Sequence, residues 1–243
     1  MAKRKRRNMN KGCGSIIIVF LLFIAVMVAV RFIPLFNITD IKVTGTTVLK
    51  AESIIEKSGI KKGENLFRAR TGKARRLIKK TAYVENVKVK RILPSSIEII
   101  IDEEKAVAYM PKGKEFVCIN ADGKVLSVSK EAPKAVMHMP GMKIKKSEEG
   151  HKIEYENPNY FDIQMRCISA LGDSGLLEKT AILDVSNSSS IKLTVDNGMI
   201  AQIGAMSELD YKFKMIATVL EQGYTGGIFN IQNTAQPTYR KNQ

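Results

Sequence analysis

Apolar and polar residues alternate between Val84 and Ile101, on both sides of a Leu-Pro-Ser-Ser corner. The apolar positions are Val87, Val89, Ile97, Ile99 and Ile101, and the polar positions that alternate with them are Lys88, Lys90, Glu98 and Asp102. A period of two residues is typical of strands with one buried face, so this stretch predicts a half-buried antiparallel hairpin. Because an isolated hairpin is marginal in water, other elements must cover its apolar face.

The residues before the hairpin predict that cover. An alternating strand with Ile38, Ile41 and Val43 ends at Gly45. Helical spacing then relates Ala51, Ile54, Ile55 and Ser58, with Gly59 at the position of a left-handed cap, and a second helix presents Ala74, Leu77 and Ile78 to the core. The predicted order is strand, helix, helix, strand, strand, with both helices on one face of a three-stranded sheet.

The second half of the chain predicts a β-rich region with two helices. Strands are expected at AVAYM, EFVCIN, GKVLSV, on both sides of the Asp196-Asn-Gly198 turn, and at GGIFNIQ. One helix has Phe161, Met165, Ile168 and Leu171 or Gly172 at helical spacing, and the other opens with Ser207 and continues through Leu209, Phe213, Ile216 and Leu220. The fold class is therefore α+β.

Ser15 to Val30 contains no charged residue, and the apolar run extends to Phe36. As a helix this run would be about 33 Å long, which is enough to cross a bilayer. The alternative is a cleaved signal peptide, but no small-residue cleavage site follows and the run is long for such a peptide. The sequence predicts one uncleaved transmembrane helix.

The charges beside this helix predict its orientation. Six basic residues and no acidic residue lie in the tail before it, against Arg31 and Lys42 close beyond it. The positive-inside rule therefore places the N-terminus in the cytoplasm and the bulk of the chain outside. A nuclear or nucleic-acid interpretation of KRKRR is disfavoured because the adjoining helix explains the same charges.

The formal net charge is +15, and removing the six tail charges leaves +9 on the remainder. This excess favours anionic surroundings such as lipid headgroups or wall polymers. The densest basic stretch is the helix stripe Lys73, Arg75, Arg76, Lys79 and Lys80. A solvated helix face is one interpretation of this stripe, and contact with anionic lipid or a partner is the other.

The residues that support catalysis or metal binding elsewhere are sparse here. His138 and His151 lack metal-ligand spacing, and no G-x-S-x-G, Walker loop or C-x-x-C occurs. Asp102, Glu103 and Glu104 are interpreted as the solvated end of a strand. We expect no catalytic residue, metal or cofactor. Among the cysteines, Cys13 lies where acylation is conceivable, and Cys118 and Cys167 are expected to be buried free thiols.

The run from Phe36 to Tyr109, directly after a single N-terminal apolar helix, resembles the POTRA domain of the bacterial division proteins FtsQ and DivIB. The residues that carry this resemblance are Gly45, Gly63, Asn65, Arg91, Pro94, Glu103 and, in a following Asp-Gly turn, Gly123. Ala106 and Asn120 depart from the family pattern. The resemblance implies a basic cytoplasmic tail (1–14), a transmembrane helix (15–36), a POTRA domain (37–104), an FtsQ-type β domain (105–232) and a polar C-terminal tail (233–243).

The resemblance also implies a function, a location and partners. A protein of this family is expected to be a non-enzymatic scaffold at the division septum that binds FtsL and FtsB or DivIC-like proteins near the septal peptidoglycan synthesis machinery. The alternative is a membrane-anchored wall hydrolase or transferase with an unrecognised active site. The expected partner-binding residues are Ile228, Phe229, Asn230, Ile231 and Gln232, beside the helix from Ser207 to Gln222. They form a last short strand, and we expect no later strand to cover its outer edge.

Overall fold

A computed structural model describes residues 11–30 and 33–241, with side chains for residues 16–25 in the first of these ranges. Helix α1 spans Lys11–Val30. The predicted membrane helix, 15–36, includes residues 31 and 32, which lie outside the described residues, as does most of the predicted tail 1–14. Within the described residues, no helix has the length and apolar character that crossing a membrane requires.

The chain divides into two compact units. The first comprises residues up to 79 and 86–102, and the second comprises residues 80–85 and those from 103 onward. After a 3-10 turn at Pro34–Phe36, the first unit is built from β1 (Asp40–Thr44), α2 (Ala51–Ser58), α3 (Thr71–Ile78), β2 (Val84–Ile92) and β3 (Ser96–Glu103). The predicted order of strands and helices is confirmed.

The sheet of the first unit has the strand order β1-β3-β2. Strand β1 runs parallel to β3, with Ile41 opposite Ile97. The core is formed by one face of this sheet and the inner faces of the two helices, and its most buried members are Val87, Ile97, Ile99, Ile101, Ile54, Ala74, Ile78 and Leu66. Helix α2 ends at Gly59, whose φ of 67° confirms the predicted left-handed cap.

Two predicted core positions of the first unit are wrong. Leu77 is 36% exposed, because only Ala74 and Ile78 of α3 lie on its buried side. Val89 is half-buried because it lies toward the end of β2, an edge strand whose last three residues are exposed. The alternation in the hairpin is observed, but the core does not extend along the whole of β2.

The second unit contains most of the strands. Their bounds are β4 (Ala108–Lys112), β5 (Glu115–Ile119), β6 (Val125–Ser129), β7 (Met137–His138), β8 (Ile144–Lys146), β9 (Glu154–Tyr155), β10 (Thr180–Asp184), β11 (Ile191–Val195), β12 (Ile200–Gly204), β13 (Ile228–Asn230) and β14 (Thr238–Arg240). The helices are α4 (Asn159–Asp173), a 3-10 turn at Leu177–Lys179, and α5 (Leu209–Glu221). Nine strands form one sheet in the order β14-β13-β12-β11-β10-β7-β4-β5-β6, and β8 pairs with β9.

One hydrophobic core joins this sheet to α4 and α5. Leu193, Ile203, Leu171, Phe213 and Ile216 are among its fully buried members. The Asp196-Asn-Gly198 turn connects antiparallel β11 and β12, and Gly198 has a φ of 86°, so the predicted hairpin is confirmed. The α+β class is confirmed as well.

Three expectations for the second unit are wrong. Residues 132–159, whose poor periodicity predicts loops, contribute β7, β8 and β9, and β7 pairs in parallel with both β4 and β10. Helix α5 begins at Leu209 after Glu208, whose φ is 54°, and Ser207 does not cap it. The expected polar tail contains β14, which pairs antiparallel with β13.

Candidate partner-binding surface

The residues predicted to bind a partner lie on and just after β13, between two other strands. β13 runs parallel to β12, with Phe229 opposite Ala201, and antiparallel to β14, with Phe229 opposite Tyr239. Phe229 and Ile231 are buried, Ile228 and Asn230 are half-buried, and Gln232 is exposed. The expectation of an uncovered outer edge on this strand is therefore wrong, because β14 occupies that edge.

Tyr239 and Gly227 explain why β14 forms there. The Tyr239 hydroxyl donates hydrogen bonds to the carbonyl oxygens of Thr225 and Gly226, at 3.1 and 3.2 Å. Its ring meets that of Tyr224 edge to face, with centroids 4.9 Å apart. Gly227 has a φ of 73°, and a Cβ atom there would lie 2.5 Å from the Arg240 carbonyl oxygen. The missing side chain of Gly227 lets β14 approach.

A groove lies between α5 and the end of this sheet. Its volume is about 430 Å³, and its lining includes Tyr211, Met215, Tyr224, Phe229 and Tyr239. Tyr211 and Tyr224 are 56% and 42% exposed. Aromatic side chains that are exposed beside a strand edge can provide apolar contact area and hydrogen bonds to an incoming chain.

The two ends of the nine-stranded sheet differ in their cover. At the β6 end, the Val125 amide donates to the His151 carbonyl oxygen at 2.8 Å, and the Gly150 amide donates to the Val125 carbonyl oxygen at 2.8 Å. The Val128 amide donates to the Glu149 carboxylate at 3.3 Å. Among residues 33–241, no segment covers the outer side of β14 in this way. The open edge of the sheet is β14.

The motif residues of the first unit build one loop. Asn65 accepts a hydrogen bond on its side-chain oxygen from the Phe67 amide at 3.0 Å. Arg91 reaches across from β2, and its guanidinium donates to the carbonyl oxygens of Leu66 and Ala69, both at 2.8 Å. The Gly63 amide donates to the Ile38 carbonyl oxygen at 2.8 Å. Gly63, Asn65 and Arg91 thus hold the loop between α2 and α3 against the strands.

The other motif residues lie apart from this loop. Gly45 has a φ of 83° at the end of β1, and a Cβ atom there would lie 2.0 Å from the Ile101 carbonyl oxygen. Pro94 is exposed in the β2–β3 corner, and Glu103 ends β3. Gly123 has a φ of 74°, and a Cβ atom there would contact the Phe161 ring at 2.8 Å. Gly45 and Gly123 thus allow a close approach of other groups to the backbone.

Glu104 corrects the interpretation of the acidic cluster. Its carboxylate accepts hydrogen bonds from the Asn120 amide at 2.9 Å and from Lys124 Nζ at 3.0 Å, and its side chain is 17% exposed. Burial alone would raise the pKa of Glu104, but these two hydrogen bonds and the Lys124 charge outweigh burial and lower the pKa. Of the three acidic residues, Asp102 is exposed as predicted and Glu104 is a paired, partly buried group.

Cys118, Cys167 and His138 lie on β5, α4 and β7, away from the β14 edge. Cys118 and Cys167 are free and buried, which confirms the expected thiols. Burial raises the pKa of the Cys167 thiol to about 12, so this thiol stays protonated at neutral pH. His138 stacks on Tyr109 with ring centroids 4.9 Å apart. In the described part of the chain, no cluster of three or more His, Cys, Asp or Glu residues could hold a metal ion.

The basic stripe lies on the outer side of α3. Lys73, Arg75, Arg76, Lys79 and Lys80 are all exposed.

Sequence reasoning missed the residues of the open edge itself, which are Thr238, Tyr239, Arg240 and the neighbouring Tyr224. The signal for this strand was the β-favouring Thr-Tyr pair directly after Pro237.

Known proteins resemble this chain in both units. The family described as POTRA domain, FtsQ-type, matches residues 36–104, which include β1 to β3. The cell division protein DivIB of Clostridium acetobutylicum is 29% identical over 189 residues, covering 77% of this chain and 75% of that protein. DivIB of Clostridium botulinum strain Loch Maree is 27% identical, covering 90% and 85%. The cell division protein FtsQ of Corynebacterium glutamicum is 25% identical, covering 96% and 100%.

Proposed function

Because this chain belongs to the FtsQ/DivIB family of bacterial cell division proteins, we propose that it is a non-enzymatic, membrane-anchored scaffold of the division complex. In this role it links early and late septal proteins by binding FtsL and FtsB or DivIC-like partners beside the septal peptidoglycan synthesis machinery. The proposal assigns residues 37–104 to a POTRA domain and 105–232 to a β domain. Partner binding is assigned to the edge of the second.

Helix α1 supports the anchoring part of this proposal. From Ile16 to Ile24 its side chains are all apolar and between 42% and 71% exposed, so the described part of the chain leaves them uncovered. Six basic residues precede this apolar stretch. A continuous run of exposed apolar side chains is stabilised by burial in the hydrocarbon core of a bilayer. Basic residues on the N-terminal side of such a helix favour a cytoplasmic N-terminus.

The open β14 edge is the observation that carries the partner-binding part. An edge strand presents backbone amides and carbonyls that have no partner in their own sheet, and an extended segment of another chain can pair with them. Such pairing gives affinity with little dependence on sequence. The covered β6 edge of the same sheet lacks this capacity, so the second unit offers one end for strand addition.

The groove beside β14 supplies selectivity. Side chains of a strand added to β14 would alternate between the two faces of the sheet. Those on the α5 face would lie beside Tyr211, Tyr224 and Tyr239, which line the groove. Tyrosine is enriched among the residues that dominate binding energy, because it combines a large apolar ring with a hydroxyl. A partner with apolar side chains at alternate positions fits this surface.

Two adjacent glycines provide a matched test. Gly227→Ala would place a Cβ atom 2.5 Å from the Arg240 carbonyl oxygen and 2.9 Å from the Tyr239 hydroxyl, which displaces β14. Gly226→Ala is the control, because Gly226 also has a positive φ, of 64°, but a Cβ atom there has no neighbour within 4 Å. Both variants carry similar backbone strain, so they differ in their effect on β14.

The measurement is capture of the soluble part of the DivIC-like protein of the same organism by the detergent-solubilised full chain. We expect the Gly227→Ala chain to bind at least about ten-fold more weakly than the Gly226→Ala chain, as for loss of a dominant contact. Equal affinity of the two variants would place the partner elsewhere. Failure of the unmodified chain to capture the partner would overturn the scaffold proposal itself.

A further inference from the structure

Basic side chains cluster on the outer face of α3 and the residues leading into it. The α3 basic face consists of Arg68, Arg70, Lys73, Arg75, Arg76 and Lys79, all of which are exposed. Lys73, Arg76 and Lys79 follow one another at three-residue steps, so they lie on one side of the helix. Ala74 and Ile78 occupy the opposite, buried side.

The α3 basic face contains no acidic residue, and Glu64, which lines one cavity together with Arg70 and Lys73, forms no ion pair with them. Between Glu64 and Glu85 the sequence contains no acidic residue. None of its six basic side chains forms an ion pair within residues 33–241, whereas Lys124 and Lys62 pair with Glu104 and Asp40. Like charges at this spacing repel one another and cost stability. The face therefore gains most from an anionic surface outside the chain.

From residue 33 onward, the net positive charge lies in the first unit. From residue 33 onward, that unit contains fourteen Lys and Arg residues against six Asp and Glu residues, a formal net charge of +8. The second unit contains eighteen of each, a net charge of zero. Solubility alone does not explain why the whole excess of basic over acidic residues after residue 33 lies in the smaller unit.

An exposed apolar residue lies within the α3 basic face. Leu77 is 36% exposed, lies one helical turn after Lys73, and lines a cavity together with Lys73, Arg70 and Glu64. Interfacial helices place apolar side chains at the boundary between lipid headgroups and acyl chains while their basic residues contact the headgroups, and Leu77 next to Lys73 can enter that boundary in the same way. A soluble polyanion, or a carbohydrate polymer bearing phosphates, would pair with the basic side chains but would offer no apolar region to contact Leu77.

The chain that joins this unit to α1 is short. Phe36 already belongs to the folded unit, because its ring contacts Phe67 with centroids 5.2 Å apart and its carbonyl oxygen accepts a hydrogen bond from the Leu66 amide at 2.8 Å. Five residues, 31–35, separate it from the end of α1 at Val30. At full extension the six steps from Val30 to Phe36 span at most about 22 Å. Phe67, which holds the end of this linker, directly precedes Arg68 of the basic face.

We propose that the α3 basic face docks on anionic phospholipid headgroups at the surface of the membrane in which α1 is anchored. The short linker keeps the face at the bilayer, the six cations pair with headgroup phosphates, and Leu77 enters the headgroup boundary. The inference rests on the proposed membrane anchoring of α1. It gives the first unit a membrane-contacting role separate from the β14 edge of the second unit.

The test uses the full chain in lipid nanodiscs. A polarity-sensitive dye is attached at Leu77→Cys in a Cys13→Ser background. Cys118 and Cys167 are 2% and 0% exposed, so they should not react in the folded protein. We expect dye emission to shift to shorter wavelength in nanodiscs with 30% phosphatidylglycerol relative to pure phosphatidylcholine, and the shift to shrink as salt rises. Identical emission in both lipids would overturn the proposal.

Charge reversal then locates the contact. Lys73→Glu, Arg76→Glu and Lys79→Glu together should lower the docked-to-free ratio on the order of 100-fold. Each basic residue near an anionic surface raises that ratio roughly five-fold. The control is Lys42→Glu, Lys88→Glu and Lys90→Glu, which reverses the same charge on exposed strand positions of the same unit. We expect the control to keep most of the lipid-dependent shift. Equal loss in both triple variants would show a nonspecific attraction and contradict docking through α3.

Two further outcomes separate this inference from the anchoring on which it rests. If the chain fails to enter nanodiscs of either composition, the anchoring is wrong and the inference fails with it. If the chain enters both but soluble polyphosphate changes the dye emission while phosphatidylglycerol does not, the anchoring stands and the face binds a polyanion other than lipid. The second result would overturn the lipid assignment alone.

Discussion

The two ends of the nine-stranded sheet differ in how the unpaired backbone groups of the edge strand are treated. At the β6 end, residues 149–151 hydrogen-bond to Val125 and Val128 and cover the strand. At the β14 end, the last strand is three residues long and no described segment covers it. A bare edge invites pairing with other chains, so proteins normally cover, shorten or charge it. β6 is covered and β14 is short but uncovered, and the function proposed above uses the uncovered β14 edge for a partner.

The contrast also separates two kinds of support. β14 depends on the Tyr239 hydrogen bonds and on the absence of a side chain at Gly227. The β6 end depends on a loop whose backbone bonds to the strand and on the Glu104 group near its turn. Because these supports share no residues, each end can be altered without the other. The predictions below use that independence.

Phe229→Ala should have the largest effect on stability. Phe229 is 4% exposed at the β14 end, and truncating a buried phenylalanine costs about 3 to 5 kcal/mol through lost burial and the cavity that remains. All seven tyrosines lie in the second unit and the chain has no tryptophan. Tyrosine fluorescence in a denaturant titration therefore reports the unfolding of this unit.

Val128→Ala is the control for Phe229→Ala at the opposite end. Val128 is only partly buried on β6, so we expect a loss of about 1 kcal/mol. If Phe229→Ala cost no more than this control, β13 would not be anchored by its core side chain, and the support described for the open end would be wrong.

Gly150→Pro should open the covered end. Gly150 has a φ of 83°, which proline cannot adopt, and its amide donates to the Val125 carbonyl oxygen. We expect a loss of about 1 to 3 kcal/mol and association of chains through the exposed β6 edge at high concentration. Light scattering of the solubilised chain measures the association.

Gly150→Ala is the matched control for the covered end. Alanine keeps the amide that bonds to Val125, and a Cβ atom there has no neighbour within 4 Å. This variant should stay monomeric despite its backbone strain. If Gly150→Pro also stayed monomeric, the loop would not be what protects β6.

Glu104→Gln should have the smallest effect, and its effect should depend on pH. The folded-state pKa of Glu104 is lowered from 4.5, so its contribution is fully present above about pH 4.5 and is lost as the pH falls through the folded value. At pH 7 the variant should be less stable by about 1 kcal/mol. The difference from the unmodified chain should narrow as the pH falls below 4.5. A difference that stayed constant down to pH 3 would show that the charge of Glu104 is not what stabilises the turn.

Local chemistry explains which elements the sequence could predict. The hairpin of β2 and β3 has an alternation that continues over several residues, and Gly59 and Gly198 occupy positions where a left-handed backbone is required. The motif residue Arg91 was found by the family resemblance instead, because its guanidinium binds a carbonyl oxygen 25 residues earlier. The alternation and the glycine positions need no knowledge of distant residues.

Nonlocal contacts explain what the sequence could not predict. β14 is three residues long, too short for a period, and it depends on Gly227 and on carbonyls thirteen and fourteen residues earlier. β7 has two residues and owes its strand conformation to neighbours on both sides. Glu104 pairs with a lysine twenty residues later. The open edge was therefore expected on β13, whereas β14 occupies that edge, and partner binding by residues 228–232 stays a prediction.

Site-specific cross-linking tests the central claim most directly. A photo-reactive residue replaces exposed Thr238 on β14 in one full-length variant and exposed Ser129 on β6 in a matched variant. Each variant is irradiated in the presence of the DivIC-like partner. The open-edge account predicts a cross-link to the partner from position 238 and none from position 129. A cross-link from position 129, or none from position 238 in a chain that still captures the partner, would contradict it.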